Sequence, residues 1–514
     1  MSTIYDKLKD YSDSDYYGFH MPGHKRNLDM LKSTVPYKID ITEIEGFDDL
    51  HHAEGILKEA QIRAARIYHA DETHFLINGS TVGILSAIAG VTKKGDTILV
   101  ARNCHKSVYH AIYMNELNPV YLYPEFNHCA QLNTEVSVDD VREALDKYPS
   151  IRAVVIVSPT YDGVVSDPED MRKILESDTE IQAVIVTSPT YDGVVSDIRA
   201  LADIAHAHGI PLIVDEAHGA HFGFHPYFPQ NANTRGADIV IHSLHKTLPA
   251  LTQTALLHIN GSLASRKGVR EYLRMLQSSS PSYVLMSSID SCIDMLENRR
   301  KELFDPYVKM LEKMRGRLRQ LKRLELVETE NFDRSKIVIS VRHADMSSKR
   351  LYRILLNEYH LQMEMVAGTY ILAMTSIGDT EDGMERLARA LKETDAQADE
   401  RMRSGNCLEE TPTIIGASLP RPEVVYNSSV MENMLDEAAI SAVPGSKVRR
   451  LPWRDSVGYI STEYAYLYPP GSPLIVPGER VSQEAVDMLQ WYHNLRFAIE
   501  GLKEDQYIEV WMHG

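Results

Sequence analysis

The segment AVIVTSPTYDGVVSDIRALADIAHAHGIPLIVDEAHGAH (183–221) decides the fold. AVIVT (183–187) and PLIVDEA (211–217) are short runs rich in branched apolar residues, and their length favours buried strands over buried helices. Between them, Ile198 to His208 carries helical spacing, with Asp197 placed to cap its start and Gly209 and Pro211 to close it. Strand, helix, strand is the parallel crossover unit. The pattern extends on either side: THFLI (73–77), DTILVA (96–101), AVVIV (153–157) and ADIVIHS (237–243) read as further strands separated by helix-like stretches. The chain is therefore read as α/β, with a mostly parallel sheet covered by helices on both faces. Ligands on such sheets collect at the carboxyl ends of the strands.

Downstream, residues 287–325 read as one long charged helix, followed by a smaller α+β region containing KIVISV (336–341) and YILAMTS (370–376). TDAQADERMRSGNCLEETP (394–412) is polar and weakly periodic, and reads as a linker. The expected units are an N-terminal segment and large domain (1–290), a small α+β domain (291–395), a linker (396–412) and a C-terminal α+β unit (413–514). A net charge of −18 over 514 residues argues against nucleic-acid or anionic-membrane partners, which need basic patches. Cys104, Cys129, Cys292 and Cys407 form no C-x-x-C pair, so neither a zinc ribbon nor a disulfide framework is indicated. The start has no apolar signal region, and no apolar run is long enough to span a membrane. A cytoplasmic location is the expectation.

SPTYDGVVSD occurs twice, at 158–167 and 188–197, and its flanks IRAVVIV (151–157) and IQAVIVT (181–187) also match. The thirty-residue offset is about one strand-plus-helix unit. Two copies do not make a solenoid, so this is a local duplication of 151–167 as 181–197 inside a larger fold. The second copy joins naturally to the helix before Asp215 and is expected to line the site. The first is expected at the sheet edge or in a surface bulge.

Chemistry concentrates at strand ends. Lys246, in SLHK (243–246), follows an apolar strand, where desolvation lowers an amine's pKa and frees it for imine formation. Asp215, at the end of another strand, is placed to pair with a protonated pyridine nitrogen. INGSTVG (77–83) lies between a strand and a helix, where backbone N–H groups with Ser80 and Thr81 make a phosphate cup. No G-x-G-x-x-G or P-loop is present. His218, His221 and His225 follow a strand in a glycine-containing loop without H-E-x-x-H, so no metal is expected. His105, in RNCHKS (102–107), either stacks on a flat cofactor or is an ordinary loop histidine.

FHMPGHKR (19–26), GFDDLHHAEG (46–55), NGST (78–81), RNCHKS, SPTYDGVVSD, DEAHGAH (215–221), HSLHK (242–246) and YPPGSPLIVPGE (468–479) occur in this order. Together they resemble the bacterial ornithine/lysine/arginine decarboxylases of pyridoxal 5'-phosphate (PLP) fold type I, over about residues 19–480. The resemblance implies a PLP enzyme that decarboxylates a basic amino acid, arginine first and then lysine or ornithine. It implies Lys246 as the PLP-bearing lysine and Asp215 as the partner of the pyridine nitrogen, with His218 near the ring. His105 would stack on the ring, and Thr190 would lie beside the cofactor. Ser80, Thr81, Ser243 and His245 would bind its phosphate. His245 is also the candidate proton donor, and Glu463 would meet the substrate's cationic end. The resemblance further implies a homodimer or higher homo-oligomer, with the segment after FHMPGHK and the C-terminal unit near the site entrance.

Three features depart from the family pattern. FHMPGHK begins at residue 19, which leaves no room for the N-terminal receiver-like domain of the large members. His69 stands where relatives usually carry a small residue. SPTYDG is doubled. The alternatives are an aminotransferase or lyase on the same scaffold, or a protein impaired by its duplication.

Overall fold

The strands read from the sequence assemble into one eight-stranded sheet. They are β1 (Glu72–Leu76), β2 (Thr97–Ala101), β3 (Asn118–Leu122), β4 (Ile151–Ile156), β5 (Ala183–Thr187), β6 (Leu212–Asp215), β7 (Ile239–Ser243) and β8 (Ala255–Ile259). The order is β1-β8-β7-β6-β5-β4-β2-β3. β8 runs antiparallel to both neighbours, and the other pairs are parallel. The structure is a computed structural model and describes residues 15, 17–19, 43, 47–102, 104–127, 132–136, 151–156, 183–329, 331–407, 419–440, 447–467, 472–494 and 496–512. FHMPGHKR beyond Phe19, the first SPTYDGVVSD with Thr160, Cys129, and residues 468–471 lie outside the described residues.

The parallel strands β5 and β6 are joined by the helix Ile198–Ala207, whose start is capped by Asp197 accepting from the Ala200 N–H at 3.1 Å. Helix Gly79–Val91 lies flat on the sheet because Gly83 has no side chain. A Cβ there would stand 2.9 Å from Leu76 Cδ1 and 3.0 Å from Ile241 Cγ2. The unexplained His69 closes helix Ile56–Tyr68 in the left-handed region (φ 57), a conformation that histidine tolerates better than most residues.

The first copy of the duplication corrects the expectation of an edge or surface position. Its strand β4 lies inside the sheet, hydrogen-bonded to β2 on one side and β5 on the other. β4 and β5 pair copy to copy: Ala153 faces Ala183, Val154 faces Val184, Val155 faces Ile185 and Ile156 faces Val186. An interior position pairs both backbone edges of the duplicated strand.

The long helix spans Tyr283–Leu318 and leads to a four-stranded antiparallel sheet built around Lys336–Ser340 and Tyr370–Met374. The linker expected at 394–412 is corrected over its first half, because helix Glu381–Ser404 runs through it. The polar residues there are used inward. Asp395 accepts the backbone N–H groups of Lys322, Arg323 and Leu324, and Asp399 pairs with Arg323 at 2.9 Å. These bonds satisfy a turn that would otherwise carry unpaired donors.

The C-terminal unit packs beside β2. Arg102, just past that strand, forms a bidentate pair with Glu479 at 2.5 and 2.9 Å, and both side chains are buried. The same guanidinium donates to the Leu474 carbonyl at 3.2 Å and lies over the Tyr121 ring. Among the described residues, no helix is long and apolar enough to cross a membrane.

Candidate active site

The carboxyl ends of β5, β6 and β7 lie level, with Asp215 in register between Thr187 and Ile241. Alternation along the extended chain turns Asp215 and Glu216 to opposite sides. Glu216 bonds His242 at 2.6 Å, and the chain continues through His258 to Thr73. Asp215 faces the other way, towards Lys246. Burial pushes its carboxyl up, while the Lys246 charge and the Ala217 N–H pull it down.

Lys246 sits in the short helix Leu244–Thr247 that follows β7. Its Nζ lies 2.8 Å from Nε2 of His218. Burial lowers its pKa to about 8; Asp215 and Glu364 act against that shift, and Lys336 adds to it. With the lysine donating, Nε2 of His218 is the acceptor and its proton sits on Nδ1. Burial and the Lys246 charge keep this imidazole neutral. A lysine titrating at about 8 is roughly a tenth uncharged near pH 7, against fewer than about one in a thousand for an ordinary lysine. Capture of PLP by the apoprotein should therefore accelerate roughly tenfold between about pH 6 and pH 7 and level off above the Lys246 pKa. Stopped-flow absorbance measures this, and a rate still climbing steeply at about pH 10 would show an unperturbed lysine.

The remaining expected residues divide. His105 caps helix Lys106–Met114, its Nδ1 accepting from the Ser107 N–H at 3.3 Å and meeting the Ser107 hydroxyl at 2.8 Å. Burial and the nearby Lys246 charge press its pKa to about 3. Ser243 is fully buried, and Ser80 and Thr81 occupy the first turn of Gly79–Val91, which no side chain caps. Thr190 is buried, and its hydroxyl accepts from the Val194 N–H at 3.0 Å, closing the TYDGV turn. This turn presents Tyr191, whose ring centroid is 4.6 Å from that of His218 and whose hydroxyl donates to Glu364.

One assignment is located and one is corrected. His245 Nδ1 donates to the Thr254 carbonyl at 3.0 Å, which leaves Nε2 for another partner, and burial lowers its pKa to about 4. Glu463 is buried in the C-terminal unit, where its two oxygens accept the backbone N–H groups of Lys503 and Glu509 at 3.1 and 2.8 Å. Its carboxylate holds two backbone segments together and is not aimed at a substrate within this chain.

The three loop histidines go to different partners: His218 to Lys246, His221 to Asp333 at 3.0 Å and His225 to Asp305 at 3.4 Å. No group of three or more His, Cys, Asp or Glu suited to a metal ion occurs among the described residues.

Sequence reasoning missed Tyr191, Glu364 and Lys336. Tyr191 was visible inside the SPTYDG motif. Glu364 and Lys336 come from the small domain, and Lys336 Nζ reaches Asp333 at 3.0 Å and the His218 carbonyl at 3.4 Å. No local pattern links such distant residues to Lys246.

PLP fits the residues present. Ser243 Oγ, Thr247 Oγ1 and His218 Nδ1 are buried without a hydrogen-bond partner, an arrangement that costs free energy unless a polar group meets them. The uncapped first turn of Gly79–Val91 offers N–H groups to a phosphate. A desolvated lysine and a buried carboxylate at neighbouring strand ends match an aldehyde and a pyridine nitrogen. The fold and these residues define a PLP enzyme of fold type I.

Comparison with known proteins narrows the class. The model of the Orn/Lys/Arg decarboxylase major domain matches residues 2–181 and 168–367, and that of the C-terminal domain matches 422–504. The two major-domain matches overlap inside the duplicated region, as expected where one pattern is met twice. The chain belongs to the Orn/Lys/Arg decarboxylase family, whose members are PLP-dependent decarboxylases. It is 32% identical to the protein YaaO of Bacillus subtilis over 99% of both chains. It is 28% identical to the arginine decarboxylase of Bacillus subtilis, over 95% of this chain and 93% of that one. The crystal structure of the Francisella novicida lysine decarboxylase LdcF shares the fold, with a TM-score of 0.71 at 20% identity over 98% of this chain and 80% of that one.

Proposed function

We propose that the protein removes the α-carboxylate of a basic amino acid as CO2, with PLP held on Lys246, and that arginine is the preferred substrate ahead of lysine and ornithine. The observation that carries this reading is the Lys246–His218 contact at 2.8 Å beside buried Asp215. PLP, when bound, supplies the electron sink that accepts the pair released with CO2. The chain's part is to keep the Lys246 amine uncharged, to hold a carboxylate against the pyridine nitrogen, and to offer Ser80, Thr81 and Ser243 to the phosphate. Neutral His105 provides a flat face in the same site, and neutral His218 carries a proton at Nδ1. The preference for arginine rests on the arginine decarboxylases among the relatives. CO2 release from arginine, lysine and ornithine tests it directly: the largest kcat/KM is expected with arginine, and release from none of the three would defeat the reading. By the same family reasoning, the working form is a homodimer or larger homo-oligomer.

Glu364 takes the role the sequence had assigned to Glu463. It is a partly buried carboxylate whose charge Lys246 feels, and Tyr191 orients it. Glu364→Gln should raise KM for the cationic substrate by roughly tenfold or more, with a smaller change in kcat, as expected for loss of a charge-assisted contact.

The second copy of SPTYDG lines this site through Thr190 and Tyr191. Thr190→Ala removes a buried turn bond at a cost of about 1–2 kcal/mol and should lower activity well below that of Thr160→Ala. A larger loss in the Thr160 variant would reassign the copies.

A further inference from the structure

Three stretches of the chain meet at one buried carboxylate beside the site. They are the turn 190–195 after β5, the loop 218–221 after β6, and residues 331–336, which lead into the small domain's strand Lys336–Ser340. The carboxylate is Asp333, and both of its oxygens accept twice. Oδ1 accepts from His221 Nε2 at 3.0 Å and from the Ser335 N–H at 2.9 Å. Oδ2 accepts from the Ser335 hydroxyl at 2.6 Å and from Lys336 Nζ at 3.0 Å. Lys336 also donates to the His218 carbonyl at 3.4 Å. Asp333, Lys336 and His221 are all buried. Burial pushes the Asp333 carboxyl up, but His221 and Lys336 pull it well below the usual carboxylate range. The backbone makes the same junction. The Asp333 N–H donates to the Gly193 carbonyl at 2.6 Å, the Val195 N–H donates to the Asn331 carbonyl at 2.9 Å, and Val194 pairs with Phe332 as an antiparallel bridge. Gly193 stands at φ 103, and a Cβ there would lie 2.7 Å from Lys336 Cγ. The small sheet then returns to the same turn. Lys336–Ser340 pairs with Tyr370–Met374, which pairs with Met365–Val366. Just before that last strand, the Glu364 N–H donates to the Leu372 carbonyl at 2.9 Å, and the Glu364 carboxylate accepts from the Tyr191 hydroxyl. The turn is thus held at Gly193 and Val195 by the start of the small sheet, and at Tyr191 by Glu364. A buried ion pair adds little net stability over apolar residues of the same size, so what this pair supplies is a fixed geometry.

We propose that the Asp333–Lys336 pair, with His221, is a positioning device that seats the small domain on the strand ends and so fixes where Glu364 stands in the site. It rests on the reading of Glu364 as the carboxylate that meets the substrate's cationic end. The test is a double-mutant cycle between Asp333→Asn and Glu364→Gln in the PLP-loaded protein. Affinity for arginine is read from the change in PLP absorbance on its addition, and kcat from CO2 release. In Asp333→Asn an amide NH2 replaces one oxygen and turns a donor towards donors. This variant should bind arginine roughly tenfold more weakly, keep kcat within about threefold, and add nothing to the loss in Glu364→Gln. Gly193→Ala presses on Lys336 from the turn and should show the same split, whereas Gly163→Ala, at the matching position of the first copy, should not. A merely structural role would lower the melting temperature without this dependence on Glu364. Unchanged affinity in Asp333→Asn and Gly193→Ala would overturn the proposal, as would losses that multiply with that of Glu364→Gln. Should circular dichroism show Asp333→Asn unfolded, Asp333→Asn/Lys336→Met, which removes both charges together, takes its place in the cycle. Glu364→Gln binding arginine as tightly as the parent protein is a separate outcome: it would remove the reading of Glu364, and the positioning role with it.

Discussion

Lys246→Ala should abolish decarboxylation, lowering kcat/KM by on the order of a thousandfold or more, which corresponds to about 4 kcal/mol of lost transition-state stabilisation. The size follows from position. Lys246 is buried at a strand end, sits 2.8 Å from His218 and titrates at about 8, so it is the amine among these residues poised to react near neutral pH. Lys246→Arg keeps a cation but has no amine to form an imine, and it should be equally inactive. The substitution should leave the fold intact, because the backbone of Leu244–Thr247 keeps its bonds and the His218 ring keeps its contact with Tyr191. Thermal melting tests that part separately. An Ala variant retaining more than about a tenth of wild-type activity would mean that the lysine is not the reacting group.

Arg102→Ala or Glu479→Ala should cost about 3–5 kcal/mol of stability, because each leaves an uncompensated charge in a buried setting. The effect should extend past stability. This pair ties the C-terminal unit to the end of β2, three residues before His105, so either variant should also loosen the helix that His105 caps. Replacing both, as Arg102→Met/Glu479→Leu, removes the charges together and should recover most of the stability. Urea unfolding of the three variants reads the difference. A double variant as unstable as the singles would mean that packing, and not the unpaired charge, sets the cost.

The sheet was largely legible, because buried parallel strands are short apolar runs and the helix between β5 and β6 carries its own start and stop signals. Lys246 and Asp215 were legible for the same reason: a polar residue just past such a run stands at the ligand-binding edge. The misreadings share a cause. Polar content at 394–404 looked like a linker, but Asp395 and Asp399 serve partners some seventy residues earlier in the chain. Glu463 was expected, from the family resemblance, to meet the substrate's cationic end, but the backbone N–H groups of Lys503 and Glu509 use both of its oxygens. The extra strand looked like an edge problem, yet its repeated apolar pattern let it pair with its own copy. In each case the deciding contact is long-range, and Glu364 and Lys336 were invisible on the same ground.

Lys336 also makes the central claim sharply testable, since it is a second buried lysine near His218. Borohydride reduction of the PLP-loaded protein followed by peptide mass mapping identifies the amine that holds the cofactor. A pyridoxyl group on Lys246 is the predicted result; label on Lys336, or on no lysine at all, would contradict the assignment.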